Sequence, residues 1–161
     1  MPTNTYTALA TVTLGGSDID ITFSSIPATY RDLVLVINGN TTANADYGLR
    51  FNGDTGTNYS FVYMGGNGSS AVSGANSGEA QVVLDAYFWR SSERSTLVAQ
   101  IMDYSATDKH KTVLSRNNVA GGGVDAFANR WANTAAITSM RIFASQTFTT
   151  GTTFSLYGIA S

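Results

Sequence analysis

Leu33-Val34-Leu35-Val36-Ile37 is the stretch on which the fold turns. A β-strand sends successive side chains to opposite faces, so five apolar residues in a row belong to a strand buried on both, lying centrally between two layers. Asn38-Gly39 directly after it reads as a hairpin-type turn. Upstream the pattern changes to alternation. From Thr5 to Leu14, Tyr6, Ala8, Ala10, Val12 and Leu14 share one face and mostly threonine the other. Ile19-Asp20-Ile21-Thr22-Phe23 alternates again, and Gly15-Gly16 between the two reads as a turn.

Downstream, β-branched and aromatic residues mark further strands at Tyr47–Phe51, Asn58–Met64, Ala80–Trp89, Thr96–Tyr104, Thr112–Arg116, Ile137–Ala144 and Thr153–Ile159. Asn52-Gly53-Asp54-Thr55-Gly56 and Thr149-Thr150-Gly151 have the chemistry of tight turns. One segment reads two ways: Val124, Phe127, Ala128 and Trp131 have helical spacing, whereas Phe127, Asn129 and Trp131 fit a strand. Its shortness, and Gly121-Gly122-Gly123 before it, favour the strand. Gly65 to Gly78, the longest polar stretch, mixes Gly, Ser, Asn and Ala and is expected as a surface loop or one ordered by a partner. Strand signals at roughly ten-residue intervals, with no linker between them, predict an all-β chain in one domain. A length of 161 residues is enough to bury a sizeable core without staples.

Threonine, serine, glycine, asparagine and alanine dominate the composition, charged residues fall to 12%, and cysteine is absent. Charge at about half the usual ~25% starves any site that needs several ionisable groups. Without cysteine there are neither disulfides nor thiolate metal sites. A formal net charge of −2 supplies no broad basic surface for phosphates, so nucleic acid is not an expected partner. Met1-Pro2-Thr3-Asn4-Thr5-Tyr6 has neither the basic start nor the apolar run of a secretory signal, and no segment approaches the ~18 apolar residues of a membrane helix. Synthesis in a cytoplasm without membrane association is expected, with any exit by a route such as lysis.

Sites of chemistry are hard to find. His110, in Asp108-Lys109-His110-Lys111, is the single histidine, and no sequence signal gives it the orienting partner and nucleophile that a general base needs. Gly74-Ala75-Asn76-Ser77-Gly78 lacks the spacing of a nucleophile elbow. Gly65-Gly66-Asn67-Gly68 leads into Ser and Ala rather than a helix that would bind phosphate. Asn52 to Asn58 alternates oxygen ligands somewhat as a calcium loop does, without the closing bidentate glutamate, so an Asx-stabilised turn is expected. Glycoside hydrolysis needs two carboxyls about 5–10 Å apart, and no spacing pairs the eleven acidic residues. Sugar binding is better served: Tyr87, Phe88, Trp89 and Trp131 are candidate flat platforms, with Arg90 or Arg130 at their edge. Core packing competes for each tryptophan. Tyr87-Phe88-Trp89 cannot all face one side of a strand, so at least one marks a contact surface. Sequons starting at Asn40, Asn58 and Asn67 are read as turn residues.

Three stretches carry a resemblance: Phe23-Ser24-Ser25-Ile26-Pro27-Ala28-Thr29-Tyr30-Arg31-Asp32-Leu33-Val34-Leu35-Val36; Leu49-Arg50-Phe51-Asn52-Gly53-Asp54 with Asn58-Tyr59-Ser60; and Phe154-Ser155-Leu156-Tyr157-Gly158-Ile159. Lys109 to Arg116 and Thr134 to Ser139 extend it over most of the chain. Together they resemble small β-sandwich structural proteins of tailed bacteriophages. The resemblance implies a jelly-roll-like antiparallel β-sandwich over residues 6–161, preceded by an arm, Met1 to Thr5. It implies a non-enzymatic capsid decoration, or cement, protein that binds the major capsid protein and its own copies, commonly as a trimer on the virion surface. It carries over no catalytic, cofactor-binding or metal-binding residue. Candidate contacts are Pro2, Thr3, Asn4 and Thr5 of the arm; Asn67, Ser69 and Ser70 of the polar stretch; and Tyr87, Trp89, Arg90 and Trp131. The alternatives are a carbohydrate-binding or tail-associated module for host surface glycans, and an enzyme acting on cell-surface polysaccharide.

Overall fold

The structure, a computed structural model, describes residues 4–85 and 93–160. Twelve strands are found among them: β1 (Tyr6–Thr13), β2 (Asp18–Phe23), β3 (Asp32–Gly39), β4 (Tyr47–Phe51), β5 (Tyr59–Gly66), β6 (Ala71–Glu79), β7 (Val82–Asp85), β8 (Ser95–Met102), β9 (Lys111–Val119), β10 (Gly123–Trp131), β11 (Met140–Phe148) and β12 (Thr153–Ile159). Every pairing is antiparallel. One sheet has eight strands in the order β1-β12-β3-β8-β9-β10-β5-β6, the other four in the order β2-β11-β4-β7. This is the expected all-β, jelly-roll-like sandwich in a single domain.

The strand Leu33 to Ile37 lies inside the large sheet, between β12 and β8. Leu33, Leu35 and Ile37 are fully buried, packed in one core with Leu49, Phe51, Met140 and Ile142 of the small sheet. Each such side chain contributes about 1.5–3 kcal/mol by leaving water. Val34, on the other face, is also buried, although among the described residues no second layer covers it: Tyr157 and Gln100 flank it across the ladder. Asn38-Gly39 is not the expected turn. Asn38 pairs with Thr96 and Gly39 with Ser95, because the absent side chain of Gly39 leaves room for Thr152, whose Oγ1 would stand 2.3 Å from a Cβ there.

Other expectations are corrected by pairing. The ladder of β1 with β12 slips between Ala8 and Ala10, so Tyr6 and Ala8 lie on the opposite face from Ala10 and Val12. Gly65 to Gly78 is no loop: it closes β5 and forms most of β6, aligned with β5 from Gly66–Ala71 to Ser60–Ser77. The segment that reads two ways is strand β10, held by β9 on one side and β5 on the other. Of the strand expected at Ala80–Trp89, residues 80–85 are described: Ala80 and Gln81 form a bend, and the strand begins at Val82.

Candidate functional site

The Asn52 to Asn58 turn is the first place to look for chemistry, and its groups are already engaged. Asn52 has φ 53° and Gly53 φ 70°, left-handed conformations that asparagine and glycine tolerate best. The Asp54 carboxylate accepts from Gly56 N–H at 2.8 Å, Asn58 Nδ2 at 2.9 Å and Trp131 Nε1 at 2.7 Å. Partial burial raises its pKa, but the donors, Asn58 and Trp131 foremost, outweigh that and hold it below the usual aspartate value. With its oxygens turned to N–H donors, Asp54 serves as the anchor of a turn. Among the described residues no group of three or more His, Asp or Glu gathers where a metal ion would sit. Asn52 pins the approach to β11, accepting from Thr138 N at 2.9 Å and Ser139 N at 3.1 Å while donating to the Ala136 carbonyl at 2.8 Å.

Trp131, a candidate contact and sugar platform, is fully buried. Its ring stacks on Tyr59 at 6.2 Å and leans on Phe51 at 5.3 Å, which removes it from reach of a partner. The odd-numbered positions of β10 point into the sandwich, and Trp131 is one of them. Asn67, Ser69 and Ser70 are exposed at the β5–β6 turn. Asn67 Oδ1 accepts from both serine amides and both hydroxyls, so much of their polarity is turned inward on the turn. Asn4 is exposed, and the Thr5 carbonyl accepts from Ala160 N at 3.0 Å. Pro2, Thr3, Tyr87, Trp89 and Arg90 lie outside the described residues, as does Phe88. His110 is exposed, and beside it Lys111 is fully buried. Burial lowers the Lys111 pKa, and its ammonium donates to the carbonyls of Lys109 at 3.0 Å and Thr134 at 3.2 Å.

The outward face of the large sheet is the feature the sequence reading missed. Across β8, β9, β10, β5 and β6 this face is hollowed. Hollows of about 740 Å³, 730 Å³ and 620 Å³ follow one another, the first two sharing Met64 and Ala126, the last two Val62 and Ala128. The floor is aliphatic. Met64 is 68% exposed, Val124 59%, Val62 55% and Leu114 43%. Phe61, Tyr63 and Phe127 border the groove through their backbone, but their rings turn to the opposite face, where Tyr63 and Phe127 stack at 5.2 Å. No aromatic ring among the described residues therefore paves the floor. Arg116 and Arg130 are exposed on the groove face. The two acidic residues of these five strands, Glu79 and Asp125, pair with positions on the other face. Alternation hides this surface in the sequence: β9 sends Lys111, Val113, Ser115 and Asn117 inward and Thr112, Leu114, Arg116 and Asn118 outward. Each set mixes apolar with polar residues, so neither reads as a core face.

Fold and surface together define a β-sandwich whose larger sheet offers a hollowed aliphatic face edged by arginine. No protein-family model matches the chain, and no curated protein matches it. Among solved structures it is similar to a tetrameric galectin from the ball sponge Cinachyrella sp., with TM-score 0.40 and 12% identity over 87% of this chain and 99% of that one. It is also similar to exo-inulinase from Aspergillus awamori, with TM-score 0.39 and 12% identity over 97% of this chain but 29% of that one. A mutant of alginate lyase Aly36B in complex with an alginate trisaccharide gives TM-score 0.35 and 11% identity, over 92% of this chain and 78% of that one.

Proposed function

We propose that the chain is a non-enzymatic structural protein of a tailed-phage virion, a capsid decoration protein that seats the hollowed face of its large sheet on the major capsid protein. The observation that carries the reading is the exposed aliphatic floor of Met64, Val124, Val62 and Leu114. A contiguous apolar surface of this kind marks a place of association more than one of chemistry. Arg116 and Arg130 are the charged residues that the described strands β5, β6, β8, β9 and β10 turn to the hollowed face, and they suit a partner surface that sets acidic groups beside an apolar ridge. The phage setting follows from the resemblance of the strand and turn motifs. Packed DNA pushes capsid subunits apart, and a rigid sandwich bridging neighbours adds interface that expansion must break; about 1,200–2,000 Å² is enough for specific association.

The test is sedimentation of the purified chain with purified heads of the phage that encodes it. Binding is expected at a copy number comparable to the major capsid protein, and Met64→Glu with Leu114→Glu is expected to abolish it without lowering the melting temperature. Heads that leave the chain in the supernatant overturn the reading. The second reading, a glycan-binding module, is favoured by the hydrogen-bonding rim of Arg116, Asn118 and Arg130 on a hollowed surface. It predicts hits on a glycan array that disappear with Arg116→Ala.

A further inference from the structure

An edge strand presents a row of unpaired N–H and C=O groups to any chain that lies alongside, and folds ordinarily block such edges with bulges, charges or short strands. The two sheets have four edges, β1 and β6 on the large one and β2 and β7 on the small one. Three are blocked. The ladder of β1 slips at Ala8 and Ala10; β2 carries Asp18 and Asp20, and its pairing with β11 is interrupted between Phe143 and Phe148; on β7 the Val83 N–H and carbonyl are taken by Asn129, and its register with β4 is irregular. The fourth is open. β6 has nine residues, of which the seven from Ala71 to Ser77 are in unbroken register with β5, contains neither proline nor a basic residue, and bears its one charge at the last position, Glu79.

We propose that β6 is a self-association edge: two copies of the chain pair β6 antiparallel about a two-fold axis, joining their large sheets into one. The strand is self-complementary. An axis through Gly74 sets Ser73 of one copy opposite Ala75 of the other, and Ala71 opposite Ser77. Moved one residue either way, it sets Ser73 opposite Ser73 or Ala75 opposite Ala75. The largest pair about Gly74 is Val72 with Asn76 and no alignment sets like charges opposite each other, so neither aromatic bulk nor like charge opposes the approach. An isologous contact of this kind closes at two copies. Ala71, Ser73 and Ala75 also line the groove, so pairing makes the two hollowed faces continuous. The pairing does not depend on what occupies the groove.

Light scattering after size exclusion, across a dilution series of the purified chain, is expected to show a dimer that dissociates on dilution. Ser73→Lys with Ala75→Lys places lysine opposite lysine in all three alignments and is expected to weaken dimerisation by at least about a hundredfold, with the circular dichroism spectrum retained. Hydrogen exchange on the unmodified chain gives a readout that does not need the variant. The β6 amides turned away from β5 are expected to be protected at high concentration and to lose protection on dilution. A monomer at all concentrations overturns the proposal, as does the trimer implied by the phage resemblance, or a dimer whose outward β6 amides exchange freely.

Discussion

At the scale of single residues, the motif Phe51-Asn52-Gly53-Asp54 is a fastening. Asp54 ties its turn to the indole of a fully buried tryptophan. Hydrogen bonds to a charged group are worth about 1.5–3 kcal/mol, so Asp54→Ala is expected to cost about 2 kcal/mol in urea denaturation at neutral pH. The sign of the pH dependence follows from the lowered pKa. The carboxylate's contribution is full above the unfolded-state value of about 3.9 and is lost as pH falls through the lower folded-state value. The gap between the parent and Asp54→Ala should therefore narrow from neutral pH to about pH 2, and a gap that widens would contradict the assignment. Glycines separate in the same concrete way. A Cβ on Gly158 would stand 2.4 Å from Cγ of Tyr30, whereas one on Gly15 meets nothing within 4 Å. Gly158→Ala is expected to cost about 1–3 kcal/mol through overpacking and Gly15→Ala little, as thermal melts of the two will show.

Among the elements, strands were legible where one face differed sharply from the other or where both were apolar, as in β2 and β3. β6 was illegible because Ala-Val-Ser-Gly-Ala-Asn-Ser-Gly has little strand propensity of its own; its ladder with β5, and the turn closed by Asn67, decide its state. The bulge in β1 was hidden for a related reason, since a register slip leaves the alternating pattern of the sequence intact while exchanging the faces. The groove was unreadable because its floor is assembled from alternate residues of strands distant in the chain, each a mixed set. β7 shows how an edge element is held. Asn129, on β10 of the opposite sheet, donates to the Val83 carbonyl at 3.0 Å and accepts from Val83 N at 3.0 Å, standing in for a neighbouring strand. Asn129→Ala leaves both backbone groups without that partner and is expected to cost about 2–4 kcal/mol. Faster exchange of the Val83 amide than of the β3 amides would show that the loss is local to β7; uniform acceleration would place it elsewhere.

For the whole molecule, the decisive question is whether the hollowed face associates through its aliphatic floor or through its arginines, and salt separates the two. Burial of apolar side chains is insensitive to moderate ionic strength, whereas exposed charge pairs contribute about 0–1 kcal/mol each and are screened over about 10 Å at 0.1 M. Two arginines flank the groove, so a capsid seated on Met64, Val62 and Leu114 is expected to lose no more than about tenfold in affinity between 0.05 and 0.5 M salt, to order of magnitude. An anionic glycan held chiefly by Arg116 and Arg130 would lose far more over the same range. The variants should divide in parallel: Met64→Glu destroys binding at every salt concentration if the floor carries the association, while Arg116→Ala costs little and flattens the residual salt dependence. On the proposed capsid reading many copies sit around symmetric positions, so a small loss at each contact multiplies across neighbours. Heads carrying the Met64→Glu chain should therefore release their DNA on heating at the temperature of undecorated heads, and heads carrying the Arg116→Ala chain near that of the parent. The opposite order would assign the association to the arginines and count against the aliphatic floor.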